Sequence, residues 1–397
     1  MSVPFAELPL PPALARAIAA RGYVTSTPVQ AAVLDPDLAG RDLLVSSQTG
    51  SGKTLAFGIV LAGALVDGEG RAVRAEGPRA LVIAPTRELA AQVGRELAWL
   101  FEEAKLRIGT FTGGTPLGPD LRTLRQRPQL IVGTPGRLVD LLDRGALDLS
   151  QLGALVLDEA DEMLDMGFKD DLERILAAAP PERRTLMFSA TMPSEIQRLA
   201  ATYQRDAARL DVRTEGGGKA HADITFVGHL IHASDRLPAV VNVLLAAGEA
   251  KSIVFCRTRE RVADLQRHLA DHGLRAEAIA GDRAQSERER ALEALRSGRV
   301  RILVATHVAA RGLDLPDVEL VVHGDLPDSV EGLAHRSGRT GRAGRKGTTV
   351  VISDLRERRK AERLLSGVGA KGGWSEPPDA ARIRKRAEQR LFDELMN

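Results

Sequence analysis

Short apolar runs rich in β-branched residues and leucine alternate along the chain with longer amphipathic stretches. The short runs have the length and composition of buried strands, and the longer ones have the period of helices. In the first half of the chain, strands are predicted at 42–47, 79–85, 107–111, 129–134, 154–158 and 184–190. This alternation predicts an α/β fold in which helices cover both faces of a parallel sheet.

The same alternation resumes after a glycine-rich stretch, RTEGGGKAHAD, at 213–223. Three consecutive glycines among polar residues indicate a flexible linker. In the second half, strands are predicted at 224–231, 252–257, 275–281, 300–306, 320–325 and 347–353. We therefore predict two open α/β domains, with a ligand between them at the carboxyl ends of the strands.

The predicted boundaries follow from the linker and from a change of character near residue 354. They are 1–212 for the first domain, 213–222 for the linker, 223–365 for the second domain and 366–397 for a basic helical tail. Two explanations of the tail stay open. We favour a solvated pair of surface helices, and the alternative is a basic arm that contacts nucleic acid.

Composition narrows the classes of function. A chain of 397 residues with 44% hydrophobic content suits two domains. Its 55 basic and 53 acidic residues leave a net charge of +2, so affinity for nucleic acid must come from local patches. Aromatic residues, at 3%, are too few for a stacking platform. The single cysteine, Cys256, excludes an internal disulfide and a cysteine-based zinc site, and its apolar run favours a core position.

The amino-acid sequence predicts neither a membrane span nor a signal peptide. No apolar run approaches the length of a membrane span. The first twenty residues lack a basic leading region and are interrupted by prolines, so a signal peptide is not predicted. We expect a cytoplasmic protein without a membrane partner.

The segment SSQTGSGKT, at 46–54, closes the first predicted strand and opens a helix. Gly50 and Gly52 let backbone amides approach phosphate oxygens, Lys53 supplies a charge for the β- and γ-phosphates, and Thr54 offers a hydroxyl to Mg²⁺. The common pattern has glycine where this chain has Ser47. A glycine-rich turn with a chance Lys-Thr is the alternative, and the strand–loop–helix setting disfavours it.

Acidic residues cluster at the end of another predicted strand, in LVLDEADEML at 155–164. Asp158, Glu159, Asp161 and Glu162 repel one another unless a cation lies nearby. Phosphate-loop enzymes place an aspartate near Mg²⁺ at such a strand end, which suits Asp158. Glu159 could then orient or deprotonate an attacking water. Ordinary solvated strand caps are the alternative, and they explain so dense a cluster poorly.

Arginines recur in HRSGRTGRAGR at 335–345. Arg339 and Arg342 are three residues apart, so on a helical turn they point the same way. They are candidates for arginine fingers that stabilise charge during phosphoryl transfer. A basic loop that binds any polyanion is the alternative. Because these arginines lie in the second predicted domain and the phosphate loop lies in the first, catalysis would require domain closure.

Together with further motifs, these segments resemble the DEAD-box RNA helicase family from about residue 5 to residue 350. The letters DEAD are Asp158 to Asp161. GYVTSTPVQ at 22–30 resembles the adenine-reading motif of the family, and SQTGSGKT resembles its phosphate loop, in which a small residue stands at Ser47. The resemblance implies two tandem RecA-like parallel-sheet domains joined by a flexible linker, with nucleotide and RNA bound across the interdomain cleft.

The resemblance also implies which residues act on the nucleotide. Catalytic roles are expected for Lys53, Asp158, Glu159, His335, Arg339 and Arg342. ATP-binding roles are expected for Phe5, Tyr23, Thr25, Gln30, Ser47, Gln48, Thr49, Gly50, Ser51, Gly52, Lys53, Thr54, Gly312 and Asp314. Among these, Gln30 would read the adenine edge, Phe5 would stack on the adenine, and Asp314 would bind the ribose hydroxyls. Thr54 and Asp158 would hold Mg²⁺.

RNA contacts are implied in both domains, mostly to phosphate and sugar. The motifs concerned are PTRELA (85–90), a glycine doublet, TPGR (134–137), VFCRT (254–258), QSER (285–288) and ATHVAARGLD (305–314). The residues assigned to RNA contacts within them are Pro85, Thr86, Arg87, Gly113, Gly114, Thr134, Pro135, Gly136, Arg137, Arg257, Thr258, Thr306 and Arg311. SAT, at 189–191, resembles the motif that couples the ATP and RNA sites, through Ser189, Thr191 and Asp161.

Two positions depart from the family pattern. His307 stands where the family has aspartate, so a carboxylate that could pair with the arginines of 335–345 is replaced by an imidazole. Ala280 stands where the family often has histidine, and we expect a minor effect there.

The expected function is an ATP-dependent RNA helicase that unwinds short duplexes or remodels RNA–protein complexes without reading sequence. ATP and Mg²⁺ are the expected cofactors, RNA and ribonucleoproteins the expected partners, and a monomer the expected state. An ATP-gated RNA clamp is the alternative, and a DNA translocase is a third, which the adenine motif and SAT disfavour.

Overall fold

The computed structural model describes residues 3–47, 51–212, 223–280, 285–306, 318–341, 346–370 and 373–396. The chain divides into two compact units, Met1–Glu215 and Gly216–Asn397. The predicted linker, 213–222, lies outside the described residues, so its flexibility stays a prediction. No helix in these ranges is long and apolar enough to cross a membrane.

The first unit is built on a parallel sheet of seven described strands, in the order β3-β4-β2-β5-β6-β1-β7. Its strands are β1 (Leu43–Ser46), β2 (Ala80–Ile83), β3 (Ile108–Phe111), β4 (Leu130–Gly133), β5 (Ala154–Leu157), β6 (Arg184–Ser189) and β7 (Ala208–Asp211). Its helices are α1 (Pro12–Ala20), α2 (Pro28–Val33), α3 (Lys53–Leu65), α4 (Arg87–Leu100), α5 (Leu117–Arg125), α6 (Pro135–Asp143), α7 (Ala160–Asp165), α8 (Lys169–Ala178) and α9 (Ser194–Tyr203).

The second unit repeats this topology, with seven described parallel strands in the order β10-β11-β9-β12-β13-β8-β14. Its strands are β8 (Ile224–Ile231), β9 (Ser252–Cys256), β10 (Ala276–Ile279), β11 (Ile302–Thr306), β12 (Leu320–His323), β13 (Gly347–Asp354) and β14 (Trp374–Ser375). Its described helices are α10 (Arg236–Ala247), α11 (Arg259–Asp271), α12 (Gln285–Arg296), α13 (Val330–Ser337), α14 (Arg358–Gly367) and α15 (Ala380–Met396). Short 3₁₀ helices occur at Phe5–Glu7, Pro36–Leu38 and Ala233–Asp235.

Each sheet is buried on both faces, as the near-continuous apolar runs predict. Along β1, Leu43 and Val45 belong to one apolar cluster of the first unit and Leu44 to the other. The same division occurs in β9, where Val254 and Ile253 belong to different clusters. This alternation follows from the two-residue period of a strand and places helices above and below each sheet.

The prediction of an α/β fold with two parallel-sheet units is confirmed, and every predicted strand is present. Two further strands, β7 and β14, lie at sheet edges and were not predicted. The sequence of β7, ARLD, is half polar because the strand is partly exposed. The strand β14 has only two residues, too few for a pattern.

The segment predicted as a separate basic tail, 366–397, contributes β14 to the second sheet. Trp374 pairs with Gly228 on β8, and Ser375 pairs with His229. An added Cβ at Gly228 would lie 2.9 Å from the Trp374 ring, closer than real contacts allow. The tail therefore docks on β8 because residue 228 has no side chain.

We predict that Gly228→Ala weakens this docking, because its methyl group would overlap the ring of Trp374. The expected loss in the free energy of unfolding is about 1–3 kcal/mol, as for overpacked sites. Limited proteolysis should cleave residues 368–379 faster in the variant. The matched control is Gly373→Ala, whose Cβ would meet no atom within 4 Å. Equal cleavage rates for the two variants would contradict the predicted steric role.

Candidate functional site

Apart from the adenine-motif segment 22–30, which precedes β1, the motif segments of the first unit follow the carboxyl ends of strands, so the parallel sheet brings them to one edge. In sheet order, the segments after β3, β4 and β2 begin near Gly113, Thr134 and Pro85, which are predicted RNA contacts. The next three segments contain predicted nucleotide or coupling residues: Asp158 follows β5, Ser189 ends β6, and Ser47 follows β1. The sheet order therefore separates the two predicted groups into neighbouring halves of one edge, where such sheets bind ligands.

The phosphate-loop segment leaves polar groups buried without partners. Lys53 begins α3 and is 6% exposed. Its Nζ atom and the hydroxyls of Ser47 and Ser51 have no hydrogen-bond partner among the residues that the structure describes. Gly52 precedes the helix with φ of 87°, a left-handed conformation that favours glycine. Gln48, Thr49 and Gly50 lie outside the described residues.

Asp158 is the corresponding buried anion. It is 3% exposed, its amide donates to the carbonyl of Ile83 at 2.9 Å, and its Oδ1 has no partner within the described ranges. Burial raises the pKa of its carboxyl group to about 7, although the Lys53 ammonium opposes the shift and Glu159 adds to it. Glu159, also buried, has φ of 52° at the start of α7. Left-handed backbone is costly for an L side chain and often marks a functional position.

These orphaned groups fit a nucleotide with a divalent cation. Lys53 needs an anionic partner, and Asp158 needs a cation if it is to stay ionised. In the described residues, no group of three or more His, Cys, Asp and Glu side chains could hold a metal ion. A cation bound at Asp158 would therefore need ligands from the nucleotide. Mg²⁺ is usually bound in this way, by one or two carboxylates together with phosphate oxygens.

Asp161 links the acidic segment to the SAT segment. Its Oδ2 accepts hydrogen bonds from the Thr191 amide at 2.9 Å and from the Thr191 hydroxyl at 2.7 Å. The Ser189 hydroxyl donates to the Thr191 carbonyl at 2.6 Å. The three residues predicted to couple the sites are therefore in direct contact, and movement of α7 would be transmitted to the segment after β6.

Gln30 joins the adenine-motif segment to the phosphate loop. Its Oε1 accepts from the Thr27 amide at 2.8 Å, which completes a capping box on α2. Its Nε2 donates to the carbonyl of Gly52 at 3.1 Å. A Cβ at residue 52 would lie 2.5 Å from this Nε2 atom. Only glycine therefore permits this close contact between the two segments.

The two aromatic residues expected near adenine occupy different surroundings. Phe5 is 7% exposed and belongs to the apolar core, so the prediction that its ring stacks on adenine conflicts with its placement. The sequence showed an aromatic at the right spacing but not that its faces are covered. Tyr23 is 49% exposed, and its ring centroid lies 6.2 Å from that of Trp99. Of the two aromatic residues, Tyr23 is the exposed one.

The segments predicted to contact RNA are braced against one another. Gly114 has φ of 74°, and a Cβ there would lie 2.2 Å from the Arg87 guanidinium. The Gly113 amide donates to the Thr134 hydroxyl at 3.4 Å. The Thr86 hydroxyl accepts from the Leu89 amide at 3.2 Å and caps α4. Glycine at position 114 therefore gives the Arg87 guanidinium room to lie over the loop after β3, whereas a Cβ at Gly113 would meet no atom within 4 Å.

Arg137 differs from its predicted role as an RNA contact. It is 8% exposed, forms an ion pair with Asp120, and donates to the carbonyl of Thr115 at 2.6 Å. Its guanidinium is thus committed to holding the loop after β3 against α6. Asp120 was not identified from the sequence, since an acid within a charged helix carries no distinguishing signal. The neighbouring Gly136 is exposed, as a backbone contact requires.

The second unit carries an aspartate at the topological position of Asp158. Asp325 follows β12, is 6% exposed, and accepts from the Arg257 amide at 2.8 Å. It also forms an ion pair with Arg261 and lies 3.9 Å from Arg236. Sequence reasoning missed Asp325, and the signal available was an acidic residue after a buried strand. Arg257 and Thr258, predicted RNA contacts, lie exposed beside it after β9.

The arginine-rich segment departs from the helical spacing expected of it. The helix α13 ends at Ser337, and the Arg339 amide donates to the carbonyl of Arg336 in the following turn. The expectation that Arg339 and Arg342 share a helical face therefore does not hold for Arg339, which is 8% exposed in a turn. His335 is half-buried on α13, and Thr306 is buried at the end of β11. Arg342, His307, Arg311, Gly312 and Asp314 lie outside the described residues.

These features define a two-unit α/β protein whose first sheet gathers Lys53, Asp158 and the predicted coupling residues at one edge. Family models match both units: residues 27–199 match the DEAD/DEAH box helicase model, and residues 235–344 match the helicase conserved C-terminal domain. A DEAD box protein of Methanococcus jannaschii is 34% identical, and the alignment covers 95% of this chain and all of that one, with a TM-score of 0.51. The chain belongs to the DEAD-box family.

Other relatives agree with this assignment. The chain is 42% identical to DEAD-box ATP-dependent RNA helicase 9 of Oryza sativa, over 92% of this chain and 58% of that protein. It is 41% identical to ATP-dependent RNA helicase DeaD of Mycobacterium tuberculosis, over 89% and 61%. S. cerevisiae Dbp5 bound to RNA and ADP BeF3 is 27% identical with a TM-score of 0.82, over 97% and 99%. The chain spans 58% and 61% of the length of these two curated relatives, from Oryza sativa and Mycobacterium tuberculosis respectively.

The second unit contains a buried histidine whose protonation should govern its acid stability. His323 ends β12 with no exposure, and its Nε2 lies 3.3 Å from the Ser337 hydroxyl. Burial, and then the Arg336 guanidinium, hold the pKa of this imidazole well below 6.5. Below about pH 6.5 the unfolded chain therefore binds a proton that the folded chain does not.

We predict that the free energy of unfolding falls as pH decreases from about 6.5, by up to about 1.4 kcal/mol per pH unit from this group. His323→Gln should flatten the dependence of the melting temperature on pH between about 7 and 5. Calorimetry on the full chain measures this. The control is His232→Gln, which removes an exposed histidine of the same unit. Parallel profiles for wild type and His323→Gln would contradict the prediction.

Proposed function

We propose that the chain hydrolyses ATP in an RNA-stimulated manner and uses the cycle to unwind short RNA duplexes or remodel RNA–protein complexes. The observation that carries the proposal is the order of segments along the carboxyl edge of the first sheet, where Asp158, after β5, lies next to the predicted RNA-binding segment that follows β2. The RNA and ADP BeF3 bound by Dbp5, and the ssRNA and AMP-PNP bound by Mss116p, support it.

The first unit would hold the nucleotide phosphates. Lys53 would contact the β- and γ-phosphates, and the glycine-rich backbone would surround them. Thr54 and Asp158 would hold Mg²⁺, which when bound neutralises charge on the phosphates. Glu159 would orient the attacking water and accept its proton, for which its position beside Asp158 is suitable. The catalytic roles of His335, Arg339 and Arg342 stay predictions.

Adenine would be recognised by Tyr23 and Gln30, with Thr25 between them in the chain. The bonds to Thr27 and Gly52 use one lone pair of Oε1 and one proton of Nε2. The second lone pair and the second proton remain for adenine N6 and N7. The exposed ring of Tyr23, rather than the buried ring of Phe5, supplies a stacking face.

RNA would be bound through its backbone by both units. In the first unit the accessible groups are Arg87, the glycine doublet and the turn at Gly136. In the second they are Arg257 and Thr258, followed by the predicted contacts after β11. Contacts of this type are indifferent to base sequence and respond to phosphate spacing and 2′-hydroxyls. We propose that the chain acts as a monomer on RNA or ribonucleoproteins.

We predict that Glu159→Gln retains ATP and RNA binding but stops turnover, because the amide cannot accept a proton from water. Lys53→Ala should instead lose hydrolysis together with nucleotide affinity, since the charge that contacts the phosphates is removed. ATPase assays and fluorescent-nucleotide titrations distinguish the two variants. If Glu159→Gln loses ATP affinity as Lys53→Ala does, Glu159 belongs to the metal site and the assigned roles of the two acids are wrong.

We predict that the chain discriminates ATP from GTP, because polar groups arranged for adenine stay unpaired with guanine. The ratio of kcat/KM for ATP to that for GTP should be about 100 or more. Gln30→Ala should reduce this ratio and, through the lost capping box, lower the free energy of unfolding by about 1 kcal/mol. Equal hydrolysis of the two nucleotides by the wild type would refute the adenine assignment.

A further inference from the structure

A basic cleft lies at the opposite edge of the first sheet from the motif segments. Its walls come from the segments 71–76, 103–107 and 127–129, which precede β2, β3 and β4. The cavity has a volume of about 980 Å³, enough for a drug-sized or oligomeric ligand. Because all three segments precede their strands, the cleft is at the amino edge, and no motif of the family falls within it.

The cleft concentrates positive charge in a chain that is almost neutral overall. It is lined by five cationic side chains, Arg71, Arg74, Lys105, Arg107 and Arg127. Two carboxylates oppose them: Glu76, which pairs with Arg127, and Glu103, which pairs with Arg16. Concave surfaces of one charge sign focus the field and raise the local concentration of counter-ions.

Three of the cations are available to a ligand. Arg71 pairs with Glu69 and Arg127 with Glu76. Arg74, Lys105 and Arg107 are exposed, and their side chains form no ion pair or hydrogen bond with any residue in the described part of the chain. Three neighbouring cations without counter-charges repel one another, so a polyanion is the ligand that this arrangement favours.

One buried side chain links the walls of the cleft. Buried Gln129 accepts from the Arg107 amide at 3.0 Å and donates to the Val73 carbonyl at 3.1 Å, so one side chain clamps the three walls. Lys105 has φ of 56° and Arg127 φ of 51°. Among the described residues, only four other than glycine have positive φ, and a third is Glu159 at the nucleotide site. Lys105 and Arg127 both follow helix ends, where a left-handed residue commonly terminates the helix, so these values show how the chain turns into the cleft.

We propose that this cleft is a second RNA-binding site. It holds the phosphodiester backbone of a different part of the RNA from the part bound at the carboxyl edge. The inference rests on the proposed function for the identity of the polyanion. Strands of the first sheet separate the two edges by about 13 Å. An RNA that occupies both edges must therefore extend around the unit or present a second strand. The cleft should for this reason contribute to the affinity for long RNA and not to the affinity for short RNA.

The test is the triple variant Arg74→Gln, Lys105→Gln, Arg107→Gln, compared with Arg198→Gln, Arg205→Gln, Arg209→Gln. The control set removes the same charge from exposed positions of the same unit outside the cleft. Affinity for RNAs of about 8 and about 30 nucleotides is measured by fluorescence anisotropy over a range of salt concentrations. RNA-stimulated ATPase activity with the short RNA is measured alongside.

The cleft variant should bind the long RNA at least about tenfold more weakly at low salt. The slope of log K against log salt should become shallower by about 2, because each lost phosphate contact contributes about 0.7. Affinity for the short RNA and its stimulation of the ATPase should be unchanged, and the control set should match wild type. Glu76→Gln, which frees Arg127, should act in the opposite direction and steepen the slope.

Two contrary results are distinguishable. If wild type shows RNA-stimulated ATPase activity but the cleft variant keeps wild-type affinity and slope for long RNA, the second site is refuted and the proposed function stands. The same result is expected if the ligand of the cleft is an acidic protein rather than RNA. If wild type neither binds RNA nor responds to it, the proposed function and this inference both fail.

Discussion

The function of the first unit depends on the burial of a lysine and an aspartate at one edge of its sheet. Lys53 and Asp158 are both under a tenth exposed, and each has an atom without a hydrogen-bond partner in the described residues. An unsatisfied buried polar group costs about 1–3 kcal/mol, so the cores of the first unit must offset this cost. A ligand that brings both anionic oxygens and a divalent cation relieves both charges at once. A nucleotide with its divalent cation would therefore gain affinity by pairing with both groups.

The second unit shows what the same topology does when the corresponding charge is satisfied. Asp325 occupies the position after β12 that Asp158 occupies after β5, yet arginines and a backbone amide surround it. In the first unit the strand-end aspartate has an oxygen available to a ligand. In the second unit the corresponding aspartate holds the start of α11 against β12. The two units therefore share a fold, but of these two strand-end aspartates only Asp158 has an oxygen without a partner among the described residues. Function must for this reason be argued from side chains rather than topology.

Sequence patterns predicted the strands well because buried parallel strands are continuous apolar runs bounded by motif residues. They failed where tertiary contacts decide the outcome. Phe5 has the spacing expected of a stacking aromatic but lies in the core. Arg137 belongs to a motif predicted to touch RNA but pairs with Asp120 instead. Arg339 was predicted to lie on a helical turn, but the helix ends at Ser337. A run of glycines and arginines does not show at which residue helical hydrogen bonding ends.

The sequence by itself determined the family and the two-unit α/β class, and it predicted the residues of the nucleotide site, because all of these depend on short segments whose chemistry requires particular residues at particular spacings. The tertiary structure alone decided the order of the strands, the separation of nucleotide and RNA segments along one edge, the docking of Trp374 on Gly228, and the basic cleft at the opposite edge. Each of these brings together residues far apart in the chain. Such contacts depend on the packing of helices and strands, and no local pattern of residues encodes them.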